Sequence, residues 1–106
     1  MPDYLGEFEQ LVLLALMRLG EDAYGVTIRA TLRERAGRDA SFGAIYSTLR
    51  RLEQKGLVRS TIGDPEPVRG GRAKKHVTVT LRGRAAVREA RQAFGRMAAG
   101  LKGLQG

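Results

Sequence analysis

The chain is 106 residues long, 42% of them hydrophobic, and its 19 lysines and arginines against 11 acidic residues leave a net charge of +8. A length well under about 250 residues suits one small core, and the apolar fraction is too high for a disordered chain. The absence of cysteine excludes disulfides, thiolate zinc sites and a cysteine nucleophile, while the basic balance favours a polyanionic partner, nucleic acid before an anionic membrane surface.

The opening Met1-Pro2-Asp3-Tyr4 has no basic stretch or long apolar segment of the secretory kind. The longest apolar run, Leu11 to Met17, falls far short of the roughly 20 residues that cross a bilayer. A soluble, cytoplasmic protein is expected.

Leu5 to Leu19 reads as a first helix. Leu5, Phe8, Val12, Ala15 and Leu19 share one face, and Leu11, Leu13, Leu14 and Leu16 widen the stripe nearly all round. Such a helix belongs at the centre of the core and at a subunit interface. Glu7 and Glu9 read as first-turn carboxylates beside a positive helix end, and Gly20 is the stop. Asp22 is the expected N-cap of a second helix, in which Tyr24, Ile28, Leu32 and Ala36 recur at four-residue steps before Gly37. Ser41 then caps a third helix with Phe42, Ile45, Leu49 and Leu52 on its buried face, Lys55 in its last turn and Gly56 at its end.

Beyond Gly56 the period changes. Leu57 to Ile62 is short and rich in Val, Thr and Ile; Lys75 to Thr80 alternates, with Val77, Val79 and Leu81 on one side and His76, Thr78 and Thr80 on the other. The Gly- and Pro-rich stretch between them suits a loop, so the two segments form a hairpin. Thr80 caps a last helix expected to reach Leu104. Its apolar positions Val87, Ala90, Phe94, Met97, Leu101 and Leu104 make a heptad seam. Gly95, Gly100 and Gly103 each weaken that helix by about 1 kcal/mol relative to alanine, so it needs a partner to pack on.

The order predicts a mainly α fold with a small β-hairpin (α+β), a winged helix-turn-helix over residues 1–80 followed by a dimerisation helix over 81–106. The dimer surface is assigned to Leu5 and Phe8 together with Val87, Ala90, Phe94, Met97, Leu101 and Leu104. An α-helix fits the major groove of duplex DNA, and the outer side of the third helix offers Ser41, Gly43, Ala44, Ser47, Thr48, Arg50 and Arg51. Tyr46 stands beside the buried stripe, within reach of the groove. In the hairpin loop, Arg69, Arg72, Lys74 and Lys75 are placed to follow phosphates or enter the minor groove.

Catalysis has no visible machinery. His76 is the only histidine, Ser41 and Ser47 have no base partner, and Gly70-Gly71 is not followed by the Lys-Ser/Thr of a nucleotide-binding loop. No metal or cofactor is expected. Two other readings fit a small basic chain: a structured-RNA or ribosome-associated protein, and a winged helix used as a protein-interaction module. The blander alternative for each feature is an amphipathic helix with a solvated face and a merely flexible turn.

Several segments resemble the PadR family of regulators. They are Leu5-Gly6-Glu7-Phe8-Glu9-Gln10-Leu11 with Ala23-Tyr24-Gly25-Val26, Gly43-Ala44-Ile45-Tyr46-Ser47-Thr48-Leu49-Arg50-Arg51-Leu52-Glu53, and Gly70-Gly71-Arg72 with Val79-Thr80-Leu81. The resemblance implies a homodimer that represses nearby genes, relieved in some members by phenolic or multidrug-like ligands, hence a small aromatic effector as a further partner. By position it implies that Tyr24, Ser41, Tyr46, Ser47, Arg50 and Arg51 face DNA, with Arg72, Lys74 and Lys75 in the wing. The single short C-terminal helix resembles the compact branch of the family. The lack of tryptophan departs from members that sandwich planar drugs between indole rings.

Overall fold

The structure, a computed structural model, describes residues 4–65 and 73–104. The described residues form α1 (Glu7–Leu19), a 3-10 turn (Gly20–Asp22), α2 (Gly25–Ala36), α3 (Phe42–Gln54), β1 (Val58–Pro65), β2 (Ala73–Val79) and α4 (Leu81–Ala98). This is the winged helix-turn-helix order expected from the sequence. The strands pair antiparallel, with Val58 opposite Val79 and Ser60 opposite Val77, and the ladder is irregular between Ile62 and Pro65.

α1 is apolar nearly all round because it packs against α2, α3, β2 and α4 at once. Val12, Leu13 and Leu16 of α1 meet Ile28 and Leu32 of α2, Ile45 and Leu52 of α3, Leu57 and Val77 at the hairpin, and Ala86 and Val87 of α4 in one cluster. Leu5 and Val87, assigned from sequence to the dimer surface, are buried in this core of their own chain. Leu5 packs in from just before α1, and Val87 lies on the face of α4 that joins the cluster. Phe8 and Ala90 are half-buried.

Local polar groups set the helix starts. α1 begins at Glu7, two residues later than its apolar spacing predicts, because Gly6 is the N-cap and its amide donates to Glu9 Oε1 at 2.9 Å. The cap of α2 is Tyr24, not Asp22: Thr27 Oγ1 accepts from the Tyr24 amide at 3.0 Å, while Asp22 is taken up in the 3-10 turn. Ser41 and Thr80 cap as expected, Oγ accepting from Ala44 N at 3.1 Å and Oγ1 from Gly83 N at 3.0 Å. Leu81 is exposed instead of facing inward with Val77, since helical geometry replaces strand alternation after Thr80. α4 stops at Ala98, short of the predicted Leu104. Ala99 turns extended and Gly100 and Gly103 take φ of +82° and +85°, outside any continuing helix.

Candidate nucleic-acid interface

The turn from α2 to α3 is held by α2 itself. Gly37 adopts φ +65°, the left-handed conformation that ends a helix without a Cβ penalty, and its amide returns to Leu32 O. Arg29 Nε donates to Ala40 O at 3.2 Å, and Arg33 Nη2 reaches Asp39 Oδ1 at 3.0 Å. The hydrogen bond and charge of Arg33, with the more distant Arg29, hold the Asp39 carboxyl below its ordinary pKa. These contacts bring α3 out of the turn in one direction, with its outer side facing away from the core.

That side exposes Ser41, Phe42, Gly43, Ala44, Tyr46, Ser47, Arg50 and Arg51. Thr48 is the first correction. The helical pattern places it on the outer side, but it is 1% exposed, and its Oγ1 donates to Ala44 O at 2.8 Å one turn back. A threonine can be buried this way without an unsatisfied hydroxyl. Phe42 is the second. Expected on the buried face, it is 38% exposed; its ring stacks on Tyr46 with centroids 6.4 Å apart, and the Arg29 guanidinium lies 4.9 Å from its centre. Tyr46 is 52% exposed, and its hydroxyl is seated on the Cα of Gly25, where a Cβ would meet it at 2.3 Å. Tyr24 is half-buried, with its hydroxyl 3.4 Å from Asp22 Oδ1.

Arg51 differs from Arg50. Its Nη2 donates to Thr48 Oγ1 at 3.2 Å, and its Nε lies 3.9 Å from Glu9 Oε2. Lys55 Nζ completes the cluster, 3.0 Å from the same carboxylate oxygen and 3.0 Å from Tyr4 O. Burial opposes ionisation of Glu9, but the Gly6 amide, the Lys55 hydrogen bond and the charges of Lys55 and Arg51 outweigh it and lower its pKa. Arg51, predicted to reach DNA, is thus tied back along the helix. By sequence alone Glu9 has a helix-end role and Lys55 a dipole role; no local spacing signals a contact between residues so far apart in the chain.

Of the wing residues, Lys74 and Lys75 fall in β2, Lys75 opposite Ile62. Arg69 and Arg72 lie outside the described residues. Arg59 on β1 is exposed. Between the start of α2, the outer side of α3 and the hairpin lies a cleft of about 690 Å³, bordered by Tyr24, Val26, Tyr46, Arg50, Glu53 and Ser60. Glu53 is engaged there, accepting from Ser60 N and Oγ at 3.3 Å each.

A helix-turn-helix presenting a free helix beside a hairpin is a DNA-binding architecture, and comparison with known families decides which one. The family model described as the transcriptional regulator PadR-like family matches residues 13–89. The chain belongs to the PadR-like family. No curated protein sequence matches it. Among solved structures, a PadR family transcription regulator from Clostridium difficile R20291 is similar over 87% of this chain and 91% of its own, at 26% identity and a TM-score of 0.72. A PadR family transcriptional regulator from Eggerthella lenta DSM 2243 is similar over 87% and 80%, at 28% identity and a TM-score of 0.66. A PadR-like regulator from Bacillus cereus strain ATCC 14579, at 23% identity and a TM-score of 0.68 over 86% and 84%, shares the fold.

For a PadR-like regulator, two further features of the geometry matter. Among the described residues there is no cluster of His, Asp or Glu able to hold a metal ion, and no helix is long and apolar enough to cross a membrane. The outer half of α4 and the segment after it present apolar side chains to solvent: Phe94 is 69% and Met97 80% exposed, and Leu101 and Leu104 are exposed beyond them. A groove of about 550 Å³ runs along this face, with Gln10 of α1 on its other bank.

Proposed function

We propose that the chain is a sequence-specific regulator that binds duplex DNA as a homodimer and represses transcription from an inverted-repeat operator. The observation that carries this reading is the outer side of α3: it is left uncovered by the chain's own fold and offers small residues, Ser47 and Arg50, where a helix would enter a major groove. The net charge of +8 supplies attraction for phosphate. The exposed apolar face of Phe94 and Met97 supports pairing of two copies, because such a patch on a soluble chain marks an interaction surface. Two-fold pairing would set the two α3 helices about 34 Å apart, one helical turn of DNA.

The test is fluorescence anisotropy on the chain's own promoter region against random duplex of equal length, with transcription in vitro from that promoter. Tighter binding to the promoter, a stoichiometry of two chains per site and less transcript on adding protein are expected. With about 6–10 phosphate contacts, affinity should drop 10³–10⁵-fold between 50 and 200 mM salt. Equal affinity for both duplexes would refute it.

A further inference from the structure

The first two turns of α3 carry no side chain able to pair with the polar edge of a base through two hydrogen bonds. Between Ser41 and Thr48 there is no Arg, Lys, Asn, Gln, Asp or Glu. Three of the polar side chains there are already engaged: Ser41 Oγ on the Ala44 amide, Thr48 Oγ1 on Ala44 O, and Arg29 from α2 on Ala40 O and over the Phe42 ring. What the flank of α3 toward α2 presents to solvent is mostly apolar: the Phe42 ring, the Tyr46 ring and, from α2, the exposed Val26. Only Ser47 interrupts it, and the first cation, Arg50, comes a turn later.

This surface is also fixed in place. The Phe42 ring stacks on Tyr46 with the two planes 24° apart and has the Arg29 guanidinium over it, and the Tyr46 hydroxyl rests against Gly25. A plate already ordered by such contacts loses less side-chain entropy on binding than free side chains would. Arg29 lies over its Phe42 ring, Arg50 borders the same cleft as Tyr46, and the chain carries a net charge of +8, so a polyanion is drawn to it. In a major groove, the apolar group available to such a plate is the C5 methyl of thymine.

Resting on the reading of α3 as the helix that enters DNA, we infer that Phe42 and Tyr46 are specificity-determining residues that select thymine by its C5 methyl in each half-site. Every base presents polar atoms in the groove, but only thymine sets a methyl beside them, so cytosine and the purines desolvate against the plate without that compensation. Thymine buries its methyl there.

The experiment starts from binding selection out of a random duplex library, which fixes the preferred half-site. Each thymine of that site is then replaced singly by deoxyuridine, which keeps every hydrogen-bonding atom and removes only the methyl. The affinity of the unaltered protein is expected to fall about fourfold, the worth of one buried methyl, at one or two positions per half-site and nowhere else. Phe42→Ala should weaken binding to the thymine duplex and bind the deoxyuridine duplex no worse, which closes the cycle. Should Phe42→Ala not fold, the deoxyuridine series on the unaltered protein decides alone. A clear selected site at which every deoxyuridine duplex binds as tightly as the thymine parent would overturn the thymine inference and leave the DNA reading standing. Failure to select any site would overturn both.

Discussion

Lys55 Nζ lies 3.0 Å from Glu9 Oε2 across 46 residues of sequence and fastens the end of α3 to the start of α1. The carboxylate also accepts from the Gly6 amide at 2.9 Å, so one side chain serves a helix cap and a tertiary ion pair together. Glu9→Ala should leave both groups short of a partner and lower the unfolding free energy by about 1–3 kcal/mol, read by urea titration. The pH dependence follows from the depressed pKa of Glu9. Its stabilisation is complete above the pKa of glutamate in the unfolded chain, about 4.3, and is lost as pH falls through the lower folded value. The stability gap between the unaltered chain and Glu9→Gln should therefore be widest near neutrality and close in acid. A gap that widens below pH 4 would contradict the ion pair.

The two adjacent arginines of α3 should separate in function. Arg50 faces the cleft and Arg51 is tethered to Thr48 and near Glu9. Arg50→Ala is expected to weaken binding to the selected operator by about 1–3 kcal/mol with unchanged stability. Arg51→Ala should cost less affinity and about 0.5–1 kcal/mol of stability, as suits a half-exposed ion pair. Anisotropy and urea denaturation on both variants measure this. Equal affinity losses with no change in stability would place Arg51 on the DNA instead.

How much of this was legible in the sequence depended on the range of the physics involved. Ser41 and Thr80 were readable as caps because a cap acts over three residues, and α1 was readable as central because nothing apolar on it could be left wet. The corrections arise where a neighbour from elsewhere in the fold decides. Phe42 stays outside because Arg29 of α2 and Tyr46 hold its ring there. Thr48 goes inside because its hydroxyl is satisfied by Ala44 O, which residue type does not announce. Arg51 and Arg50 are alike by residue type and differ in their surroundings because Glu9 and Thr48 stand beside Arg51. The end of α4 moved inward because its last apolar residues find no surface of the same chain to pack on.

Two glycines are predicted to respond differently to alanine. A Cβ on Gly83 would sit 2.1 Å from the carbonyl oxygen of Leu57 and 2.8 Å from Val79 Cγ1. The first neighbour is backbone at the hairpin base and cannot turn aside, so Gly83→Ala should destabilise by about 3 kcal/mol, the upper part of the overpacking range. At Gly25 the neighbour is the Tyr46 hydroxyl, the tip of a side chain that can swing into solvent. Gly25→Ala should change stability by less than about 1 kcal/mol, aided by helix propensity, while displacing the Phe42–Tyr46 pair and lowering affinity for the operator. Thermal unfolding and anisotropy on the two variants distinguish the sites; a stable Gly83→Ala protein would show that α4 docks more loosely than the structure has it.

The outer face of α4 gives the sharpest separation of folding from assembly. Phe94 and Met97 are largely exposed in the single chain, so truncating either removes almost nothing from the monomer's core. Phe94→Ala should leave monomer unfolding nearly unchanged. In a symmetric pair each residue appears twice, and burying a Phe or Met side chain is worth about 1.5–3 kcal/mol. Loss of Phe94 from both copies should thus weaken association by several kcal/mol, enough to convert a micromolar dimer to monomer at working concentrations. Sedimentation equilibrium on Phe94→Ala and Met97→Ala reads the shift directly, and promoter affinity should fall with it because half-site binding loses its partner. Should both variants stay fully dimeric at the same concentration, the pairing surface lies elsewhere, and the face formed by Phe8 and Leu11 of α1 becomes the one to mutate.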